Sequence, residues 1–115
     1  MDEDVVYIKN GEEKSKTKKP GKLYRLMVKS HTMEAIIAEL DPHMESKLFQ
    51  HDGEEMHFVL QGEMEYTAGE KSYKLTEGDI LWHKSMLKHN ARNIGSKTVV
   101  YFIVGTPPNF KSNIV

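Results

Sequence analysis

The chain has no cysteine and a single tryptophan among its 115 residues. Without cysteine there is neither a disulfide framework nor a thiolate ligand, so a metal ion would have to be held by imidazole, carboxylate or backbone oxygen. An excess of charge of one sign is missing as well: 16 Lys and Arg stand against 17 Asp and Glu, a formal net charge of -1. That balance gives no overall attraction to nucleic acid or to an anionic membrane. No apolar run approaches the roughly 20 residues of a membrane span. The opening "MDEDVVYIKNGEEK" is too acidic and polar for a signal peptide. A cytoplasmic protein with no direct nucleic-acid or membrane partner is the expectation, and its length suits one domain.

A helical period of 3.6 residues is also absent. Short segments rich in β-branched and aromatic residues alternate instead with turn signals. "KLYRLMV" (22–28) and "TMEAIIAEL" (32–40) lead to the turn "DPH" at 41–43. "EEMHFVLQ" and "EMEYTA" flank Gly62, and "AGEK" at 68–71 makes a hairpin turn to "KSYKL". "ILWH", "KHNARNI" and "TVVYFIV" follow. Segments spaced at about 8 to 12 residues predict an all-β sandwich or barrel. The stretch Lys9 to Lys22 carries six lysines and almost nothing apolar. It reads as a solvated loop within a polar N-terminal arm over 1–21 that includes a short strand. Val99 to Val104 is apolar throughout, which suits a strand covered on both faces and predicts a homodimer.

The chemistry-bearing residues lie in two segments. In "FQHDGEEMHFVLQG" (49–62), His51 and Glu55 straddle the "DG" turn, and Glu55, His57 and Val59 share one face of a strand. Imidazole with carboxylate is a ligand pair suited to iron, manganese, nickel or zinc. "EGDILWHKSMLKHNARN" (77–93) offers His83 and His89 as a third ligand. His89 is preferred, because it shares a face with Ala91 and Asn93. His83, between Trp82 and a turn, reads as a surface residue, and His31 and His43 read as solvated turn residues.

These segments resemble the cupins, a family of small jelly-roll barrels. The family's first motif has the form G-x5-H-x-H-x3/4-E-x6-G, and His51, Glu55 and Gly62 stand at its spacing. Its second, G-x5-P-x-G-x2-H-x3-N, is matched by Gly78, His89 and Asn93. The chain departs from the pattern at His43, Phe49, Lys84 and Met86. "MEAIIAELDPH" and "TPPNF" extend the likeness to the cupin sensor domain appended to helix-turn-helix regulators of the XRE type, without the DNA-binding half. The resemblance implies a double-stranded β-helix barrel over 22–110, followed by a tail at 111–115.

The resemblance further implies a divalent transition metal held by His51, Glu55 and His89, with Phe49 where the family places a further histidine. Phe49, His57 and Asn93 would then line a ligand pocket. Two His and one carboxylate also form the facial set of non-haem iron oxygenases. Two functions follow: a sensor or binding module for a small polar organic ligand, or a small metal-dependent enzyme of dioxygenase or isomerase type.

Overall fold

In the computed structural model, which describes residues 4–13 and 15–108, nine strands account for the regular structure. They are β1 (Ser15–Lys19), β2 (Lys22–Lys29), β3 (Glu34–Leu40), β4 (Glu54–Gln61), β5 (Glu63–Ala68), β6 (Lys71–Thr76), β7 (Ile80–Lys84), β8 (His89–Asn93) and β9 (Val99–Thr106). No helix occurs among the described residues. The tail expected at 111–115 lies outside them. Two antiparallel sheets, ordered β1-β2-β3-β9-β4-β7 and β6-β5-β8, form the all-β barrel expected from the turn spacing.

Alternation sets which residues meet between the sheets. Ile36, Ala38 and Leu40 on β3, Val59 on β4, Val99 and Tyr101 on β9, Met64 and Tyr66 on β5, and Ala91 on β8 form one buried cluster. Burying a side chain such as Leu40, Met64 or Val99 is worth roughly 1.5–3 kcal/mol. Gly62, with φ of +81°, turns the chain from the large sheet into the small one. A side chain there would sit 3.1 Å from the Thr98 carbonyl oxygen and the Val99 Cα, so both conformation and space favour glycine.

β9 lies between β3 and β4; Val99 and Tyr101 are buried on its inner face, while Val100, Phe102 and Val104 are half-buried on the outer one. Tyr101 pairs with Ala38 and Val59 over the core. On the outer face, one row runs Ile37, Phe102, Phe58, Ile80 across four strands, and the next runs Ala35, Val104, Met56, Trp82.

The lysine-rich stretch is not wholly a loop. Ser15–Lys19 pairs along its length with Lys22–Leu26 of β2, because Ser15 and Thr17 turn to the partly covered side while Lys16 and Lys18 stay in water. Lysines on such an edge strand also discourage pairing with another chain.

Residues 44–51 have little strand character of their own yet run beside β8. The Asn93 N–H donates to the Met44 carbonyl, and Phe49 and His89 exchange both backbone hydrogen bonds. The Ala91 N–H donates to the Ser46 hydroxyl at 2.9 Å. This irregular edge carries Phe49 and His51 to His89.

Candidate metal centre

The site forms where β3 and β4 begin and β9 ends. Four imidazoles and one carboxylate converge there. His51 precedes the turn that starts β4; Glu55 and His57 stand on its inner face; His83 comes from β7 and His89 from β8. The turn is specified locally. Gly53 has φ of +103°, and a Cβ on it would lie 1.7 Å from the Thr106 carbonyl oxygen. The Ser85 N–H donates to the Gly53 carbonyl and the His51 N–H to the Ser85 carbonyl, which fixes this turn against the loop after β7.

Glu55 is the hub. Its Oε1 lies 2.6 Å from His89 Nε2, 3.2 Å from His83 Nε2 and 3.6 Å from His57 Nε2, and its Oε2 lies 3.8 Å from His51 Nε2. The opposite nitrogens of three of the four rings are tethered. Nδ1–H of His51 donates to the Asp52 carbonyl at 3.0 Å, that of His83 to Lys84 at 2.9 Å and that of His89 to Leu87 at 2.6 Å. A proton held on Nδ1 leaves Nε2 as a lone pair, the form in which imidazole binds metal.

Burial by itself would raise the Glu55 carboxyl. Attraction from the imidazoles of His57, His83 and His89 outweighs it and holds the group well below the usual carboxylate range, so Glu55 is anionic. That attraction requires a proton on Nε2, while Nδ1 of His83 and of His89 already donates to a carbonyl. Each ring meets both demands only as an imidazolium; as a neutral ring it turns a lone pair toward a buried anion. Oε1 accordingly has no aligned hydrogen-bond donor. The arrangement calls for a cation, either protons on the rings or a metal ion among them, and the donor set fits a divalent transition ion. Burial also pushes the His57 imidazole down, against the pull of Glu55. Tyr24 is pushed up to about 12 by burial. Tyr66 and Tyr101 are raised well above their ordinary value, first by burial, so all three are hydroxyls at neutral pH.

The structure brings His51, Glu55 and His89 together, with one ligand atom from each within 4.8 Å of the others. Glu55, His57 and His83 satisfy the same condition. Phe49 stacks on His89 at a ring separation of 6.0 Å and an interplanar angle of 23°. With His57 it lines the cavity beside the cluster. His31 and His43 are exposed, as expected.

Two expectations are corrected. His83 is not a surface residue: it is 4% exposed. On β7 it is Leu81 and His83 that face inward, while Trp82 points out and donates from Nε1 to the Glu54 carboxylate at 2.9 Å. Asn93, expected in the ligand pocket, is not among the residues lining it. Its Nδ2 donates to the carbonyls of Leu40 and Lys97, and its Oδ1 accepts from the Gly95 N–H, so the amide holds the turn after β8.

Sequence reasoning passed over Glu34, a buried carboxylate lining the same cavity. The signal was available: Glu34 has the parity of Ile36, Ala38 and Leu40. It pairs with Gly105, which pairs on its other side with Glu55. Two acidic residues therefore flank one glycine across three strands. Tyr24, Tyr66 and Tyr101 also line the cavity, whose volume of about 30 Å³ gives room for roughly two waters.

Comparison with known proteins agrees with this architecture. The cupin domain profile matches residues 36–105. An uncharacterized protein of Archaeoglobus fulgidus is 34% identical over 65 residues, a match covering 56% of this chain and 61% of that relative. The chain thus spans less than two thirds of that relative's length. Among solved structures, KdgF from Halomonas sp. superposes with a TM-score of 0.76 at 17% identity, covering 88% of this chain and 93% of the other. The Cupin_2 domain of an XRE family transcriptional regulator from Enterobacter cloacae superposes with a TM-score of 0.69 at 17% identity, covering 74% and 95%. At such identities the two structures show a shared fold.

Proposed function

The chain belongs to the cupin family, and from that premise we propose that it is a sensor or binding module. It holds a divalent transition ion, iron, manganese, nickel or zinc, through His51, Glu55 and His89, and takes a small polar organic ligand at the open end of the same cavity, whose empty space including its mouth is about 510 Å³. One observation carries this reading: three imidazoles tethered at Nδ1 turn their Nε2 atoms toward one buried carboxylate. The ion, when bound, supplies Lewis acidity or a point for oxygen to bind. Glu55 neutralises part of its charge, and the carbonyls of Asp52 and Leu87 orient His51 and His89. Among the described residues lining the cavity there is no Lys or Arg, whereas Glu34 and Glu55 both are there.

A second reading, a small metal-dependent enzyme, draws on Tyr66. Its hydroxyl lies 3.0 Å from His83 Nε2 and is held protonated by burial, so a proton donor stands next to the site. The protein also works as a homodimer in this proposal. Ile80 at 61%, Trp82 at 50% and Met56 at 45% exposure sit in the two apolar rows of the outer face. A second copy covering those rows would bury them in a self-complementary contact.

Metal analysis of protein purified without a histidine tag tests the central claim, followed by nickel or manganese titration of the stripped protein in a calorimeter. Binding by the wild type, weakened at least about a hundredfold in Glu55→Ala, is expected. Equal affinity in the two proteins would place any ion elsewhere.

A further inference from the structure

We infer that Glu55, His57 and His83 form a second ion position, set inside the first and sharing Glu55 with it. The inference rests on the metal-binding reading above but assigns different ligands.

The three donors are already spaced as ligands. His57 Nε2 lies 3.1 Å from His83 Nε2, and Glu55 Oε1 lies 3.2 Å from His83 Nε2 and 3.6 Å from His57 Nε2. An ion bound at about 2.1 Å by donors at octahedral to tetrahedral angles needs neighbouring donors about 3.0–3.4 Å apart. Two sides of the inner triangle fall within that range and the third, 3.6 Å, lies just above it. In the outer set the donors face different carboxylate oxygens, His89 at 2.6 Å from Oε1 and His51 at 3.8 Å from Oε2.

Proton accounting points the same way. His83 donates from Nδ1 to the Lys84 carbonyl, so in the neutral ring its Nε2 is a lone pair. His57 Nδ1 is buried and has no hydrogen-bond partner. If His57 carries its proton on Nε2, it donates to His83 and leaves Nδ1 an unmatched acceptor. If it carries the proton on Nδ1, two nitrogen lone pairs and a carboxylate oxygen face one another. A divalent transition ion satisfies both Nε2 lone pairs and Glu55 Oε1 at once, leaving only the His57 Nδ1–H without an acceptor. The residues enclosing this triangle are buried: His57, His83 and Glu55 are 3%, 4% and 8% exposed. The hydroxyl of Tyr66, 3.0 Å from His83 Nε2, stands ready to donate to whatever else the ion binds.

The test uses the wild-type full chain, labelled with ¹⁵N and stripped of metal, so that no variant has to fold. One equivalent of zinc is added, and the ring nitrogens are followed by long-range ¹H–¹⁵N correlation. Displacement of the Nε2 resonances of His57 and His83, with or without those of His51 and His89, is expected. Displacement confined to His51 and His89 would overturn the inner position and leave the metal-binding reading standing; no displacement at any histidine would overturn both. As a second measurement, cobalt titration of His83→Gln should show at least a tenfold loss of affinity and a changed visible absorption spectrum. Affinity and spectrum equal to the wild type would count against the inner site.

Discussion

The two halves of β4 obey opposite rules. At its start Glu55 and His57 point into the barrel while Met56 points to solvent; farther along, Val59 points inward onto Tyr101, Val99 and Leu40. The usual apolar interior holds in the second half, and in the first a carboxylate and an imidazole stand in its place. The difference is energetic. The apolar half stabilises the barrel by removing surface from water, whereas enclosing Glu55 and its imidazoles costs several kcal/mol unless a cation and further hydrogen bonds offset it. One half of the strand serves stability, and the other is retained at a cost to stability.

The largest effect should come from breaking the apolar half. Leu40 is fully buried, and Leu40→Ala should cost about 2–5 kcal/mol in urea unfolding while the folded protein keeps its nickel affinity. A loss of affinity equal to that of Glu55→Ala would show that the halves are not separable. A smaller effect is expected from Phe49→His, which adds a nitrogen donor beside His89 on the outer side of the cluster. About tenfold tighter nickel binding is expected, limited because the new ring has no assured partner to orient it. Unchanged calorimetric affinity would mean that Phe49 only packs. The smallest change in monomer stability concerns the outer face: Met56→Lys with Ile80→Lys should shift unfolding by no more than about 0.5 kcal/mol per site. The pair should nonetheless bring the mass in light scattering to the monomer's 13.2 kDa. A wild type already at that mass would remove the homodimer.

Much of the fold was legible because turns and alternation are local. "DPH" and "AGEK" bound the strands wherever those strands pair, and the parity of Glu55, His57 and Val59 follows from the pleat alone. The metal candidates His51, Glu55 and His89 were legible from residue type and spacing. His83 was misread because its neighbour Trp82 looks like a core residue, yet its indole lies outside against Glu54. Asn93 was misread because motif position says nothing of which hydrogen bonds the amide makes.

The sequence by itself determined most of the strands and the chemical type of the donors, since each depends on residues close in the chain. Only the tertiary structure decided which donors meet. Glu55 faces His83 because β4 and β7 pair in one particular register, and a shift of one residue would have placed Trp82 in the barrel. Glu34 reaches the cavity because β3 and β4 both pair with β9 at Gly105. Those registers are set by how the whole barrel closes around its core, and no short stretch of sequence carries that information.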